Sequence, residues 1–491
     1  MRQRTLLAAA ACAATALAVT GAVPATAGTT AAHPVATTTA ATARPSADFN
    51  GDGYADLAIS AHGTTVAGFA GAGVLVVRYG SPTGLGKAAL ITRDTPGIPG
   101  IPAASDGFGK IIGPGDVDGD GYDDLLVRSA PTINNGMTQN HEGTLVLRGS
   151  KDGLTGRYTS LVSNLSLSTQ NPYFFRPEAI ADMTGDGIAD VLSRGTKDGH
   201  AGIVVFEGPL SAATNEPAAV RFLRVDAMNE HGNILYTADM TGDGITDVVS
   251  DIRDGNAYEG ALFKGTPNGL VRAGKVKYGY GDAATAFGDL NKDGYLDFVS
   301  GDSGGSDSAE GGRVHVTFGG PDGVSTKLPA LVLTQNSPGV PDTAETGDRF
   351  GTSVAVGDTD GDGYDDIVVG SPFESGSDAA RPNAGAVTVL RGGPSGVATT
   401  GARLLTQDSP GVPSTSERKD YFGWAVRLVD TDKDGKPELY VAGYGEDGLR
   451  GRVWKLKTGA SGVTGTGATS FNLAELGGPT GKAYFGHHLA G

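Results

Sequence analysis

The chain alternates short apolar runs with polar, glycine-rich turns. Val354–Val356 ends just before one polar stretch, and Ile367–Val369 follows it. Runs this short and rich in β-branched residues are typical of strands and too short for helices. A second kind of apolar run starts at a glycine and ends at an arginine, as in Gly73–Arg78 and Gly143–Arg148. The pattern predicts an all-β fold built from closely connected strands.

The polar stretches between strands share one acidic sequence that occurs seven times. Its clearest copy, Asp358–Asp366, has the form D-x-D-x-D-G-x-x-D. Successive copies start 68, 66, 57, 50, 69 and 72 residues apart. Intervals of this size fit a four-stranded propeller blade with long loops. The other copies start at Asp48, Asp116, Asp182, Asp239, Asp289 and Asp430.

Each acidic loop offers the oxygen ligands of a hard cation. Positions 1, 3, 5 and 9 carry side-chain oxygens and position 7 offers its carbonyl, a set that suits Ca²⁺. Position 6 is always glycine, because the chain must turn there with positive φ. No loop has the position-12 glutamate or the flanking helices of an EF-hand, so we expect up to seven structural Ca²⁺ in strand–loop–strand turns. The expected ligands are Asp48, Asn50, Asp52, Tyr54 and Asp56; Asp116, Asp118, Asp120, Tyr122 and Asp124; Asp182, Thr184, Asp186, Ile188 and Asp190; Asp239, Thr241, Asp243, Ile245 and Asp247; Asp289, Asn291, Asp293, Tyr295 and Asp297; Asp358, Asp360, Asp362, Tyr364 and Asp366; Asp430, Asp432, Asp434, Lys436 and Glu438.

The seven loops are not equally good cation sites. Thr184 and Thr241 offer a weaker neutral ligand at position 3, and the seventh loop has Pro437 at position 8 and the longer Glu438 at position 9. Some of these three loops are therefore expected to stay empty. A single such sequence could be an ordinary acidic β-turn, but seven copies in register favour metal sites.

The N-terminus predicts secretion. Residues 1–27 have the basic start, the apolar Leu6–Val19 and the Ala25–Ala27 cleavage site of a signal peptide. Residues 28–45 are rich in Ala, Thr and Pro, as expected of a linker. The repeats occupy residues 46–491, and no later segment is apolar enough to suggest a membrane span.

Charge and cysteine content narrow the function further. The chain has 38 basic and 55 acidic residues, and 24 of the acids occupy ligand positions of the loops. Without a basic cluster, nucleic-acid binding is not expected. The only cysteine, Cys12, lies in the signal peptide, so the mature chain has no disulfide and bound metal would stabilise it instead. We expect a monomer.

A second shared block precedes three of the acidic loops. It has the form Thr-x-x-(Ser/Thr)-Pro-Gly and occurs at Thr92–Gly97, Thr334–Gly339 and Thr406–Gly411. A Phe-Gly pair follows each time. The pairs are Phe108-Gly109, Phe350-Gly351 and Phe422-Gly423. The units whose loops start at residues 182 and 239 keep the loop and lose most of the Phe-Gly signal.

The order of these motifs resembles the FG-GAP repeat, the blade repeat of the integrin α-subunit head. Phe350-Gly351, Gly357–Asp366 and Gly370–Pro372 carry the resemblance most clearly, and it extends over nearly all of residues 46–491. The resemblance implies a seven-bladed β-propeller of a bacterial secreted type, with calcium on one face of several blades. It also implies a non-catalytic scaffold for binding or adhesion, whose ligand is a protein or a glycan.

The two ends of the repeat region complement each other. The first loop, at Asp48, has no Phe-Gly strand before it, and Tyr484–Gly491 contains a Phe-Gly pair with no loop after it. Together they complete one repeat, so six whole repeats and one split repeat predict seven blades. A ring closed in this way leaves no free sheet edge at the inner strands.

One motif suggests an enzyme instead. Gly301–Gly305 resembles the serine nucleophile signature of trypsin-like proteases, and Thr30–His33 resembles their histidine motif. A serine nucleophile needs a positioned histidine, and His33 lies in the linker, so catalysis by Ser303 is not expected. The alternative that stays open is an extracellular hydrolase or polysaccharide lyase with a site in the propeller channel. Titratable side chains converging away from the acidic loops would favour that alternative.

Two further polar segments are expected to have structural roles. His487 and His488 are expected to point to opposite faces of the closing strand, because neighbouring side chains alternate along a strand. Arg418–Asp420 is expected to be a solvated loop.

Overall fold

The computed structural model describes residues 47–491, except residues 99, 130–142, 156–157, 161–176, 199, 212, 214–215, 226–234, 255–256, 280–283, 305–310 and 376–380. All described residues belong to the compact unit Arg44–Gly491. The predicted signal peptide (residues 1–27) and linker (residues 28–45), with Cys12 and His33, lie outside the described residues and stay predictions.

The described residues form seven four-stranded antiparallel sheets, which we number as blades in chain order, with blade 1 containing the first strand. Blade 1 contains β1 (Leu57–Ala61), β2 (Val74–Arg78) and β3 (Ala88–Ile91); blade 2 contains β4 (Lys110–Gly115), β5 (Asp124–Ser129), β6 (Gly143–Leu147) and β7 (Tyr158–Ser160). Blade 3 contains β8 (Pro177–Ala181), β9 (Asp190–Lys197), β10 (His200–Glu207) and β11 (Ala219–Arg224); blade 4 contains β12 (Leu235–Ala238), β13 (Asp247–Asp254), β14 (Ala257–Thr266) and β15 (Gly269–Lys277).

The remaining strands complete the ring. Blade 5 contains β16 (Thr285–Gly288), β17 (Asp297–Asp302) and β18 (Arg313–Thr317), then the small hairpin of β19 (Gly319–Gly320) and β20 (Gly323–Val324), then β21 (Leu331–Leu333). Blade 6 contains β22 (Ser353–Gly357), β23 (Asp366–Ser371), β24 (Ala386–Gly393) and β25 (Gly396–Leu405); blade 7 contains β26 (Ala425–Val429), β27 (Glu438–Gly443), β28 (Arg452–Lys457) and β29 (Thr464–Phe471). A short helix α1 (Glu446–Leu449) follows β27, and β30 (Leu489–Ala490) returns to blade 1.

Each blade has an inner strand that faces the inner strands of its neighbours. Contacts join β30 to β4, β4 to β8, β8 to β12, β16 to β22, β22 to β26 and β26 to β30. This arrangement is a seven-bladed β-propeller and confirms the predicted fold class.

The C-terminus closes the ring. β30 pairs with β1, placing Ala490 opposite Ala58 and Leu489 opposite Ile59. The Ser60 N–H donates to the His488 carbonyl at 3.0 Å. Phe485, just before this strand, is fully buried. The predicted split blade is therefore confirmed: the last strand supplies the inner strand that the first three lack.

The apolar core lies between blades. The second strands β1, β23 and β27 are buried along their whole length, because neighbouring blades cover both of their faces. Leu57 and Val76 of blade 1, for example, pack in one cluster with Tyr440 and Val453 of blade 7. This explains why the second strands are continuous apolar runs without alternation.

Removing the closing segment should destabilise the whole ring. Deletion of residues 484–491 exposes the edge of β1 and removes the buried Phe485, whose loss alone is worth about 3–5 kcal/mol. We expect a large fall in the melting temperature, measured by circular dichroism. The exposed Lys482 gives a control, Lys482→Ala, which should melt like the wild type. A truncated protein as stable as the full chain would contradict closure by β30.

Candidate functional sites

The acidic loops share one turn, which their first aspartate organises. Asp48 accepts N–H hydrogen bonds from Asp52 at 3.1 Å and from Gly53 at 2.9 Å, and Asp52 accepts one from Tyr54 at 3.0 Å. The glycine at position 6 has φ between 83° and 91° in all seven loops, which confirms the predicted positive φ. Its N–H makes the same bond to Asp116, Asp182, Asp239, Asp289, Asp358 and Asp430.

The carboxylate at position 9 is buried and stabilises the turn by accepting backbone hydrogen bonds. Asp56 accepts the N–H of Phe49 and the N–H of Gly80, both at 2.9 Å. Burial raises the pKa of Asp56 to about 8, although these two hydrogen bonds oppose the shift. The same bond from a glycine near the end of the third strand reaches Asp124, Asp190, Asp247, Asp297 and Asp366. Position 9 therefore has a structural role that the ligand pattern alone did not reveal.

Most of the acidic loops are also bonded to the next blade. The carbonyl of Phe49 in the first loop accepts the N–H of Ser150 in blade 2 at 3.1 Å. At the ring closure, the carbonyl of Thr431 in the seventh loop accepts the N–H of Ser81 in blade 1 at 3.1 Å. Equivalent bonds join Leu210 to Val117, Gly393 to Leu290 and Gly459 to Thr359. A stiffer loop therefore means a stiffer junction between blades.

Three of the acidic loops bring carboxylates together within the described part of the chain. In each group the oxygen atoms lie within 4.8 Å of one another, close enough to share a cation. Asp118 and Asp432 each have a buried Oδ1 that accepts no hydrogen bond, which fits a missing cation. The groups are Asp116, Asp118 and Asp124; Asp358, Asp360 and Asp366; and Asp430, Asp432 and Asp434.

The other four loops keep the turn without such a group of acids among the described residues. They begin at Asp48, Asp182, Asp239 and Asp289. Each has one carboxylate fewer than the second, sixth and seventh loops, because position 3 is Asn or Thr. Calcium binding by any of the seven loops stays a prediction, and the second, sixth and seventh fit it best.

Basic side chains approach several acidic loops, a feature that sequence reasoning missed. Arg148 Nη1 lies 3.2 Å from Asp118 and 3.0 Å from Asp124. Arg391 pairs with Asp360 in the same way in blade 6. The sequence did contain a signal for these ion pairs, because an arginine follows the apolar run of the third strand in both blades. In blade 7 the seventh loop instead pairs Glu438 with Lys455.

The end of the ring opposite to the acidic loops carries aromatic side chains. The loops connect the end of an inner strand to the start of the second strand, whereas these rings precede an inner strand or follow a second strand. We call them the aromatic platform; all are half-buried and they span blades 6, 7 and 1. The platform consists of Phe373, Tyr421, Trp424, Tyr444, Tyr484 and His487.

The rings of the aromatic platform contact one another continuously. Tyr421 and Tyr444 stack with ring centroids 5.0 Å apart, and Trp424 packs edge-on to Tyr444 at 4.6 Å. Tyr444 lies 5.8 Å from Tyr484, and Trp424 lies 5.2 Å from His487. The contacts fix the rings relative to one another, so little side-chain entropy is left to lose on binding.

Three histidines converge beside the aromatic platform. Ring centroids of His62 and His487 are 4.6 Å apart, as are those of His487 and His488. The expectation that His487 and His488 point to opposite faces is wrong, because both residues lie in the turn before β30 and not in the strand. Burial, with nearby Lys110, lowers the pKa of His62 to about 4.

The serine motif does not assemble a catalytic site in the described residues. Asp302 at the end of β17 lies 3.6 Å from Arg313 and 3.9 Å from His315. No hydrogen bond between Ser303 and a histidine is present in this part of the structure. That Ser303 is not a nucleophile stays a prediction.

Buried acids at the junction of blades 5 and 6 were also missed. Carboxylate oxygens of Glu345, Asp348 and Glu374 lie within 4.8 Å of one another. Burial and the two neighbouring glutamates raise the pKa of Asp348 to about 7. In the next blade Asp420 is only 2% exposed, so the expectation that all of Arg418–Asp420 is solvated is wrong.

The histidine cluster should make the fold sensitive to acid. His488 has its pKa lowered to about 4 by burial and by His62, Lys110 and Arg128, against about 6.5 when unfolded. The unfolded chain therefore binds more protons between these values. Stability present above pH 6.5 is lost as the pH falls toward 4, by about 1–2 kcal/mol between pH 7 and pH 5.

The buried aspartates have raised pKa values, so their contribution to stability changes with pH in the opposite direction. A histidine variant separates the contribution of His488 from theirs. His488→Gln should lose less stability than the wild type between pH 7 and pH 5, measured by urea denaturation at each pH. The exposed His200 gives the control, His200→Gln, with the wild-type slope. Equal pH slopes for all three proteins would contradict a buried neutral His488.

Comparisons with known proteins agree with this architecture. The FG-GAP repeat family matches residues 45–77, 108–135 and 350–390. Integrin alpha-5 from Xenopus laevis is 36% identical over 178 residues, which is 35% of this chain and 15% of the integrin. Phosphatidylinositol-glycan-specific phospholipase D from Mus musculus is 35% identical over 159 residues, 31% of this chain and 17% of the phospholipase. The chain thus spans under a fifth of the length of these relatives.

Solved structures give a weaker likeness. A rhamnogalacturonan lyase from Bacillus licheniformis aligns with 79% of this chain and 73% of its own, at 14% identity and a TM-score of 0.29. In the described part of the chain, no helix has the length and apolar character needed to cross a membrane. The closed ring makes the chain a seven-bladed β-propeller, and its residues 45–77, 108–135 and 350–390 match the FG-GAP repeat.

Proposed function

We propose that this protein is a secreted, calcium-stabilised binding scaffold, without catalytic activity, that holds a protein or glycan ligand on the aromatic platform. The observation that carries the proposal is the continuous, half-buried set of rings from three adjacent blades. Tyr and Trp present a large apolar surface with a polar tip, and such residues dominate the binding energy of interfaces. Both protein and glycan ligands can use a surface of this kind.

The calcium proposed for the acidic loops lies at the end of the ring opposite to the aromatic platform. The carboxylates of the second, sixth and seventh loops would hold it, together with the carbonyl at position 7. The positive charge of the ion would reduce the repulsion between the carboxylates of a loop. The loop would then be more rigid, and so would its junction with the next blade. Its proposed role is structural, and it leaves the platform free for the ligand.

Secretion and adhesion rest on sequence and similarity. The basic and apolar N-terminus supports export, and the integrin relatives support a protein-binding role. We propose a monomer, because β30 of the same chain completes blade 1 and closes the ring.

The histidine cluster favours a second candidate, a hydrolase or polysaccharide lyase acting on a glycan. His62, His487 and His488 converge next to Tyr484, with ring centroids of His62 and Tyr484 5.5 Å apart. Histidine and tyrosine can serve as general acid or base. The low pKa values of these histidines make them poor proton donors near neutral pH, so the binding scaffold remains the leading proposal.

Chelation should lower the melting temperature. An ion that binds only the native state adds RT ln(1 + [L]/Kd), about 2.7 kcal/mol for one site at a hundredfold excess over Kd. We expect a lower melting temperature in EDTA than in calcium, measured by calorimetry, and a smaller difference in Asp360→Asn. Asp322, an exposed acid outside the loops, gives the control Asp322→Asn, which should respond like the wild type. Identical melting curves with and without EDTA would exclude structural calcium.

Ligand binding should depend on the aromatic platform. Protein and glycan arrays probed with the purified chain identify a ligand, and Trp424→Ala should then weaken its binding more than tenfold, as expected for an aromatic anchor. The matched control is Tyr295→Ala, an aromatic residue at the acidic-loop end. Unchanged affinity of Trp424→Ala would refute the platform. Cleavage of the bound glycan, lost in His487→Gln, would instead favour the enzyme.

A further inference from the structure

The junction between blades 5 and 6 gathers acidic and amide side chains away from the acidic loops. Gln335 follows β21 of blade 5, and Glu345 and Asp348 lie just before the inner strand of blade 6. Glu374 lies in the loop after β23. We call these four residues the 5–6 junction site. It lies at the same end of the ring as the aromatic platform, opposite to the acidic loops.

The carboxylates of the 5–6 junction site are close together and mostly buried. Oxygen atoms of Glu345, Asp348 and Glu374 lie within 4.8 Å of one another. Asp348 is 4% and Glu374 2% exposed. The Glu345 N–H donates to Asp348 Oδ2 at 2.6 Å, and Gln335 Nε2 donates to Glu374 Oε2 at 2.9 Å. Ionised carboxylates that lie close together and away from solvent repel one another, and a bound cation would relieve this repulsion.

Gln335 provides an independent sign of a missing ligand. Its side chain is 1% exposed, and its Oε1 accepts no hydrogen bond. This oxygen lies 3.1 Å, and the carbonyl oxygen of Glu345 2.9 Å, from the point where a Cβ on Gly311 would stand. Both oxygens therefore line one small gap beside the acids. A buried amide oxygen without a donor is costly, and a cation would satisfy it.

The junction of blades 1 and 2 shows which side chains can replace those of the 5–6 junction site. At the junction of blades 1 and 2, Arg93 replaces Gln335, and its Nε lies 2.9 Å from Asp106, the counterpart of Asp348. Ala103 there replaces Glu345. The protein thus supplies its own cation to the acid at this junction, and removes one neighbouring acid.

At the junction of blades 6 and 7, Gln407, Glu417, Asp420 and Glu446 repeat the set, and the buried Gln407 Oε1 also accepts no hydrogen bond. The difference there is that Ser414 donates to Glu446 at 2.9 Å and Arg452 Nε lies 4.0 Å from it. At the junction of blades 7 and 1 the acids are absent, and Leu473, Ala483 and Thr64 stand in their places. The equivalence is structural, because the carbonyls of Thr64, Glu374 and Glu446 each accept the N–H of a glycine before the third strand, Gly73, Gly385 and Gly451.

We propose that the 5–6 junction site binds one Ca²⁺ through the carboxylates of Glu345, Asp348 and Glu374, with the amide oxygen of Gln335 as a further ligand. An all-oxygen set with three carboxylates suits Ca²⁺ better than Mg²⁺, which keeps more of its water. The ion takes the place that the guanidinium of Arg93 occupies at the junction of blades 1 and 2. The Phe373 N–H donates to the Asp348 carbonyl at 3.3 Å, so the ion also steadies one ring of the aromatic platform.

Calcium stoichiometry tests the site. We expect Glu374→Gln to bind one Ca²⁺ fewer per chain than the wild type, measured by equilibrium dialysis and elemental analysis. Gln335→Arg copies the arrangement of Arg93, which the fold already accommodates, and should also lose one ion. Asp106→Asn is the matched control and should bind as many ions as the wild type. The difference of one ion does not depend on how many acidic loops are filled.

Two results would overturn the proposal. In the first, Gln335→Arg folds and binds the same number of ions as the wild type, which decides the matter even where Glu374→Gln fails to fold. In the second, Asp106→Asn also loses one ion, which means that the loss does not come from the 5–6 junction site. Unfolding of each variant is followed by circular dichroism, so that a lost ion is not confused with a lost fold.

Discussion

The pairing of β30 with β1 is the contact on which the rest of this structure depends. It supplies blade 1 with its inner strand and joins blades 7 and 1, so that the second strands β1 and β27 are covered on both faces. Residues from both ends of the chain meet there. His487 reaches His62 and Trp424 because the closing segment brings it back to blade 1. Without closure the aromatic platform would lose two of its rings and the acidic loops would lose one of their bonds between blades.

The acidic loops bury charged groups in order to form their turns. The position-9 aspartates accept two backbone N–H groups each, and they do so while buried, where an ionised group is costly. The chain reduces this cost with basic side chains such as Arg148 in some blades. Where more carboxylates remain than the nearby cation can balance, as in the second and sixth loops, the proposed calcium ion would complete the balance.

Much of this fold could be predicted because its signals are local. The turn at Asp48–Asp56 is built from hydrogen bonds within nine residues, so its repetition reveals both its conformation and the number of blades. The Phe-Gly pair at Phe485 likewise predicted the split blade. What the sequence could not predict depends on residues that meet only in the ring. Arg148 reaches Asp118 across its blade, His62 meets His487 from the other end of the chain, and Gln335 meets Glu374 from the neighbouring blade. The error about His487 and His488 has the same origin: alternation holds along a strand, and β30 begins only at Leu489, two residues after His487.

The junctions between blades show how a repeat protein can keep one backbone and change its chemistry. The Leu473, Ala483 and Thr64 set needs no cation, and the Arg93 and Asp106 pair contains its own. Neither of these two sets needs a cation from solution. The set of Gln335, Glu345, Asp348 and Glu374 keeps the acids and has a neutral amide where Arg93 stands, and the oxygen of that amide finds no donor. The junction of blades 6 and 7 has the same set with Gln407, but there Arg452 Nε lies 4.0 Å from Glu446. The bond from the glycine before the third strand is the same at both junctions, so the backbone does not explain the difference. The proposed Ca²⁺ would balance the acids of the 5–6 junction site, and it would join their chemistry to the position of Phe373 on the aromatic platform.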